Sequence, residues 1–130
     1  MGGHESLIVW KKAMEFTRDV YRATERFPQR ELYCLAKQLR RAAVSVPSNI
    51  AEGYGRNSRN ELHQFIGIAR GSLAEVETQI ELARMLGYLE DSATQSLLRD
   101  AGEIGRMLTG LREWSSKNKR SDSHPLSPSY

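Results

Sequence analysis

The chain has 130 residues, a formal net charge of +3, 39% hydrophobic residues and 27% charged residues. This length fits one domain, and the composition excludes an intrinsically disordered chain. It also excludes a membrane span, because no apolar run approaches the roughly 18 residues that a span needs. A single cysteine excludes an intrachain disulfide and, with no secretory signal at the N-terminus, favours a cytoplasmic location.

The first predicted helix covers about residues 6–26, where apolar residues recur at steps of three and four. The pattern ends at Phe27-Pro28, since the residue before a proline is pushed out of helical geometry. Phe16, Val20 and Phe27 widen the apolar stripe. The stripe itself is predicted to consist of Leu7, Trp10, Met14, Thr17, Tyr21 and Thr24.

The second predicted helix covers about residues 29–54 and contains a proline, Pro47, in its second half. Proline lacks an N–H and its ring clashes with the carbonyl four residues earlier, so a kink is predicted there. Ser45, Ser48 and Asn49 can satisfy the freed backbone groups. Glycine accepts the C-cap conformation best, and Gly53 and Gly55 are therefore predicted to end the helix.

The third predicted helix begins at a capping box, Ser58 to Glu61, continues with heptad-spaced apolar residues and ends at Gly87. The fourth begins near Asp91 and closes at Trp114. Residues 115–130 are polar with two prolines, which predicts a disordered tail. The predicted fold is therefore all-α, an antiparallel up-down-up-down four-helix bundle over residues 6–114, with the second helix kinked.

Charge is distributed unevenly along the chain. Residues 1–60 carry 11 Lys and Arg against 6 Asp and Glu, whereas residues 61–113 carry 5 against 9. Either the two halves neutralise each other within the bundle or between subunits, or the basic half faces a polyanion such as RNA or DNA. The candidate nucleic-acid contacts are Lys11, Lys12, Lys37, Arg40, Arg41, Arg56 and Arg59.

Four further residues are candidates for a role in packing or assembly: Pro47, Asn49, Glu52 and Gly71. In one interpretation the proline shapes the helix for packing and Glu52 pairs with a nearby arginine. In the other, the segment presents Asn49 and Glu52 to a partner. A glycine within a helix costs about 1 kcal/mol relative to alanine, which close approach of the Ala42/Ala43 surface would offset at Gly71.

No constellation of catalytic or metal-binding residues is apparent in the sequence. The three histidines lack metal-ligand spacing, and Cys34, which lies among apolar residues, is predicted to be a small buried hydrophobe. We therefore predict no catalytic residues, no metal and no cofactor.

Several segments together resemble a known family. They are Leu7-x-x-Trp10, Phe27-Pro28, the run from Gln38 to Gly53, and Ala69-Arg70-Gly71-Ser72-Leu73 with Glu75. The chain is similar here to the four-helix-bundle proteins encoded within intervening sequences of bacterial 23S ribosomal RNA genes, once labelled S23 ribosomal proteins. The resemblance implies a bundle that assembles into a ring-like homopentamer. It also implies kinship to accessory proteins of diversity-generating retroelements, which bind nucleic acid and a reverse transcriptase.

The expected function is that of a non-enzymatic, homo-oligomeric bundle that binds RNA or another nucleic acid through the basic residues of helices one and two. The alternative is a protein-interaction scaffold, in which the ring is a platform for a partner such as a polymerase or reverse transcriptase.

Overall fold

The computed structural model describes residues 3–122, with side chains through Ser116. It contains α1 (Gly3–Thr24), a 3-10 turn (Gln29–Glu31), α2 (Leu35–Tyr54), α3 (Arg59–Met85) and α4 (Asp91–Asp122). Residues 3–122 contain no strand. The prediction of an all-α bundle of four helices is confirmed.

Each helix packs against its neighbours in sequence, and α1 packs against α4, which closes the bundle around one core. Contacts run in opposite order along α1 and α2: Thr17 of α1 contacts Ala43 of α2, and Thr24 contacts Arg40. Within residues 3–122, α1 does not contact α3 and α2 does not contact α4, so the α1–α2 and α3–α4 faces lie on opposite sides of the bundle.

The stripe that α1 buries differs from the predicted one. The core side of α1 is formed by Ser6, Val9, Ala13, Phe16, Val20 and Thr24. Leu7, Met14 and Tyr21 of the predicted stripe are instead 49%, 47% and 42% exposed. Two adjacent stripes share the same three- and four-residue spacing, and periodicity alone does not say which of them meets the other helices.

The second helix begins later than predicted. After the 3-10 turn, Cys34 has φ −119° and ψ −100°, and α2 begins at the next residue. Cys34 is exposed, so the prediction of a buried cysteine was wrong. The helix then continues through Pro47, which is buried, to Tyr54. The kink at Pro47 stays a prediction.

Local end signals match the structure well in α3. The Ser58 hydroxyl accepts a hydrogen bond from the Glu61 backbone N–H at 3.1 Å, as the capping box predicts. After the last turn Gly87 has φ +81°, and Tyr88 N–H donates to the Ala83 carbonyl at 2.9 Å. This is the Schellman arrangement, which requires a left-handed residue and so favours glycine.

The fourth helix continues past Trp114 to Asp122, so residues 115–122 are helical, although the sequence predicts a tail there. Ser115 is buried, and its hydroxyl donates to the Arg112 carbonyl at 2.9 Å. His63 of α3 contacts the same carbonyl and the same hydroxyl, which holds this turn of α4 against α3. Residues 123–130 of the predicted tail lie outside the described residues.

Candidate nucleic-acid interface

Three of the predicted nucleic-acid contacts are free cations on the outer surface. Lys11 lies on α1, Lys37 and Arg41 lie one turn apart on α2, and all three are exposed. Among the side chains of residues 3–116, none of the three forms an ion pair. Their charges are therefore available to a ligand.

Two others stabilise the bundle. The Lys12 ammonium lies 3.2 Å from the Glu103 carboxylate of α4. The Arg40 guanidinium donates to the Thr24 hydroxyl at 2.7 Å and to the Tyr21 carbonyl at 3.4 Å, and it stacks over the Tyr21 ring. A cation at the last carbonyls of α1 is favourable because the C-terminal end of a helix carries partial negative charge. Arg40 thus caps α1 from α2.

The last two predicted contacts, Arg56 and Arg59, lie at the turn between α2 and α3. Arg56 pairs with Glu52 at 2.9 Å and Glu61 at 3.3 Å. Arg59 lies over the Trp114 ring, 4.9 Å from its centroid. Exposed ion pairs contribute only about 0–1 kcal/mol each, yet they hold a side chain in one geometry and lower its net charge toward a ligand.

The polar groups around Pro47 make contacts within the protein. The Asn49 amide donates to the Ser45 carbonyl at 2.8 Å and also lies 2.9 Å from the Ser45 hydroxyl. The Ser45 hydroxyl in turn lies 2.8 Å from the Ser72 hydroxyl of α3. Glu52 pairs with Arg56, as the packing interpretation of the sequence predicts. The chain of contacts from Asn49 through Ser45 to Ser72 links α2 to α3.

Gly71 does not contact the Ala42/Ala43 surface, so that predicted packing was wrong. It is exposed, and a Cβ added there would meet nothing within 4 Å. The next residue, Ser72, faces α2 instead, because successive residues on a helix point about 100° apart. Gly71 therefore lies on the outer side of α3.

The α1–α2 side of the bundle carries an exposed apolar surface that was not predicted from the sequence. Its exposed or half-buried members come from both helices: Leu7, Trp10, Met14, Tyr21, Val44 and Ala51. We call this set the apolar α1–α2 face. At one end Leu7, Trp10 and Ala51 line a cavity together with Tyr54. The apolar residues of α1 that recur at steps of three and four indicate this surface. From the sequence, they were predicted to lie in the core.

Tyr54 brings an unpaired polar atom to that cavity. Its hydroxyl and the Glu5 Oε1 are buried, and neither has a hydrogen-bond partner among the described residues. Burial raises the pKa of Tyr54 above its ordinary value of 10.0; the nearby Ser6 side chain acts in the opposite direction and the charge of Glu5 in the same one.

Residues 3–122 lack two other features that would suggest a function. Those residues contain no group of three or more His, Cys, Asp or Glu placed to hold a metal ion. Nor does any helix among them combine the length and the apolar character needed to cross a membrane.

Fold and surface together define a four-helix bundle with free cations and an exposed apolar face on its α1–α2 side. The family model described as 23S rRNA-intervening sequence protein matches residues 5–110, and the chain belongs to that family. A crystal structure of a protein of unknown function from the S23 ribosomal protein family of Bacteroides thetaiotaomicron has the same fold. The two sequences are 24% identical and the two structures superpose with a TM-score of 0.77. The match covers 84% of this chain and 98% of the Bacteroides chain. No curated protein matches the chain.

Proposed function

We propose that this protein is a non-enzymatic bundle that binds nucleic acid by electrostatic contact with phosphates. The observation that carries the proposal is the set of exposed, unpaired cations Lys11, Lys37 and Arg41. Arg22 is also exposed and lies three turns from Lys11 on the same side of α1. Such contacts recognise the charge and spacing of the phosphates and do not distinguish one base sequence from another.

RNA is the nucleic acid to test first. The description of the family associates its members with 23S rRNA intervening sequences. Each phosphate contact with a single strand releases counterions and contributes about 0.7 to the slope of log affinity against log salt concentration. Binding through a few cations should therefore be weak for one protomer and strongly dependent on salt.

The test is a filter-binding titration of a 20-nucleotide oligo(U) RNA over a range of salt. We expect Lys37→Gln/Arg41→Gln to lower the slope by about 1.4, which corresponds to two lost contacts. The matched control is Lys12→Gln/Arg56→Gln, which removes the same charge from side chains already paired. A slope near zero for the unmodified protein, or equal losses in the two variants, would contradict the proposal.

Self-association is a second part of the proposal, and the apolar α1–α2 face supports it. Contiguous exposed apolar surface marks an interaction site. The C-terminal end of α3 and the residue after it also expose apolar side chains, at Leu82, Met85 and Leu86. Contact between the α1–α2 face of one protomer and the α3 surface of the next would be head-to-tail, and head-to-tail contacts that close form a ring.

A ring, with five members as the family resemblance implies, would repeat the cations of one protomer around a circle. Repetition raises the effective concentration of weak sites, and binding to a long RNA gains accordingly. The same ring could instead serve as a scaffold for a protein partner. A pull-down that survives nuclease treatment, together with a salt slope near zero, would favour the scaffold over the nucleic-acid function.

Light scattering after size exclusion tests the self-association. We expect Met14→Glu to lower the oligomer mass, because it places a charge in the middle of the apolar α1–α2 face. Gln95→Glu, on the exposed surface of α4, adds the same charge elsewhere and should leave the mass unchanged. A monomeric unmodified protein would contradict the ring.

A further inference from the structure

The α3–α4 side of the bundle carries a second basic surface, in the acidic half of the sequence. Arg70 of α3 lines three adjoining cavities, and Arg106 and Arg112 of α4 line them with it. Among the side chains described, residues 3–116, none of these three arginines forms an ion pair. We call this surface the α3–α4 arginine groove.

Small residues form the floor of this groove. The helices present Gly67, Gly71 and Ala74 from α3, and Gly102 and Gly105 from α4. Arg112 covers Gly67, Leu73 contacts Gly105 and Arg106 lies beside Gly102, so a ligand can approach the helix backbone closely at Gly71. Space is open above Gly71, where an added Cβ would meet nothing within 4 Å.

Arg112 lies down into the groove and does not project into solvent. A Cβ on Gly67 would lie 3.1 Å from the Arg112 Nε, so the guanidinium rests on the glycine. That Nε is buried and has no hydrogen-bond partner among the described residues. A buried N–H donor without an acceptor is costly, so Arg112 gains from a rearrangement of its side chain that brings the guanidinium to an anion in the groove.

The spacing of the arginines fits a linear ligand with repeated anionic groups. Arg106 and Arg112 are six residues apart, roughly 9 Å along α4, and Arg70 reaches the groove from the facing helix. Guanidinium groups bind phosphate oxygens in bidentate fashion. Glu77 and Glu113 also line the cavities, so three positive and two negative side chains surround the groove.

We propose that the α3–α4 arginine groove binds the phosphodiester backbone of a single RNA strand. This proposal rests on the nucleic-acid function proposed above and adds a second contact on the opposite face of the bundle. The glycine floor receives the strand, and the three arginines contact its successive phosphates.

Substitutions at Gly71 test the groove without threatening the fold, because any other helix former is favoured there over glycine. With the same oligo(U) 20-mer, Gly71→Glu should weaken binding about fivefold, a change of about 0.7 logarithmic units. Gly71→Ala adds only a methyl group in open space and should bind like the unmodified protein. Equal binding by the Glu and Ala variants would overturn the proposal.

Charge removal gives an independent measurement. Arg70→Gln/Arg106→Gln should lower the salt slope by about 1.4. The matched control is Arg30→Gln/Arg99→Gln, which removes two exposed arginines that form no ion pair among the described side chains and do not line the groove. Equal loss of slope in both variants would show that only net charge matters and would overturn the groove.

The two proposals fail separately. If Lys37→Gln/Arg41→Gln weakens RNA binding and the groove variants do not, the nucleic-acid function stands and the groove is excluded. If the groove variants alone weaken binding, the groove is supported and the α1–α2 contacts are excluded. If the unmodified protein does not bind oligo(U), both are overturned.

Discussion

The hydroxyl of Thr17 in α1 lies 3.1 Å from the carbonyl oxygen of Ala43 in α2. That carbonyl is four residues before Pro47, so the helical N–H that would normally satisfy it does not exist. The same hydroxyl lies 2.7 Å from the Ala13 carbonyl of its own helix, and one hydrogen serves both oxygens. Thr17 thus compensates for a buried proline on the neighbouring helix.

This relationship predicts an energetic coupling between Thr17 and Pro47. Thr17→Val keeps the shape of the side chain but removes the donor, and we expect it to lower the free energy of unfolding by about 1 kcal/mol. Pro47→Ala restores the backbone N–H, so the same Thr17→Val change should cost less than half as much in that background. Urea denaturation of the four proteins measures the coupling. Equal costs in both backgrounds would show that Thr17 acts independently of the proline.

The adjacent residues Arg40 and Arg41 should behave differently. Arg40→Gln removes the contacts with Thr24, the Tyr21 carbonyl and the Tyr21 ring, and we expect a loss of about 1 kcal/mol in stability. Arg41 is exposed, and Arg41→Gln should change stability by less than about 0.5 kcal/mol. Thermal denaturation of the two single variants checks this, and equal effects would contradict the capping role of Arg40.

The raised pKa of Tyr54 predicts a change of stability at high pH. Well below pH 10 the phenol is protonated in both the folded and the unfolded chain. As pH rises above the unfolded value of 10.0, only the unfolded chain releases the proton freely, so the folded state loses stability. Comparing urea midpoints of the unmodified protein and Tyr54→Phe between pH 8 and about 11 isolates this contribution. Parallel pH profiles would contradict it.

At neutral pH the same substitution should stabilise the protein. The Tyr54 hydroxyl is buried without a partner, and its removal relieves a desolvation cost of about 1 kcal/mol. A destabilised Tyr54→Phe variant would show that the hydroxyl is bonded in solution.

Two glycines within helices should respond in opposite ways to alanine. Gly71→Ala should raise stability by about 1 kcal/mol, since the site is open and glycine disfavours helix. At Gly53 the new Cβ would lie 3.1 Å from the Phe65 Cβ, so Gly53→Ala should lower stability by about 1 kcal/mol or more. Paired thermal melts measure both, and changes of the same sign would contradict the close packing of α2 and α3 at Gly53.

Features that depend on a few neighbouring residues were predictable. The capping box at Ser58 and the left-handed Gly87 follow from backbone chemistry within one turn, and the structure contains both. The start of α2 was predicted too early, at about residue 29, because nothing local in residues 29–34 distinguishes a 3-10 turn and a bend from the first turns of a helix.

The candidate site was less predictable. The seven basic residues were chosen by charge and position in the sequence. In the fold, however, Arg40 contacts the last turn of α1 and Lys12 forms an ion pair with Glu103. The α3–α4 arginine groove was missed because its arginines are separated by up to 42 positions in sequence and lie in an acidic region. Summed charge along a segment does not show which charges the fold places side by side.

The sequence by itself determined four helices, most of their ends and membership of an all-α class, since these follow from periodicity and local hydrogen bonding. Tertiary structure decided which of two adjacent stripes of α1 is buried and which forms an exposed apolar face. It also decided which cations are free, and that the carbonyl left unpaired by Pro47 is satisfied by Thr17. The physical reason is the same in each case: burial, ion pairing and cross-helix hydrogen bonds depend on neighbours that only the packed bundle brings together.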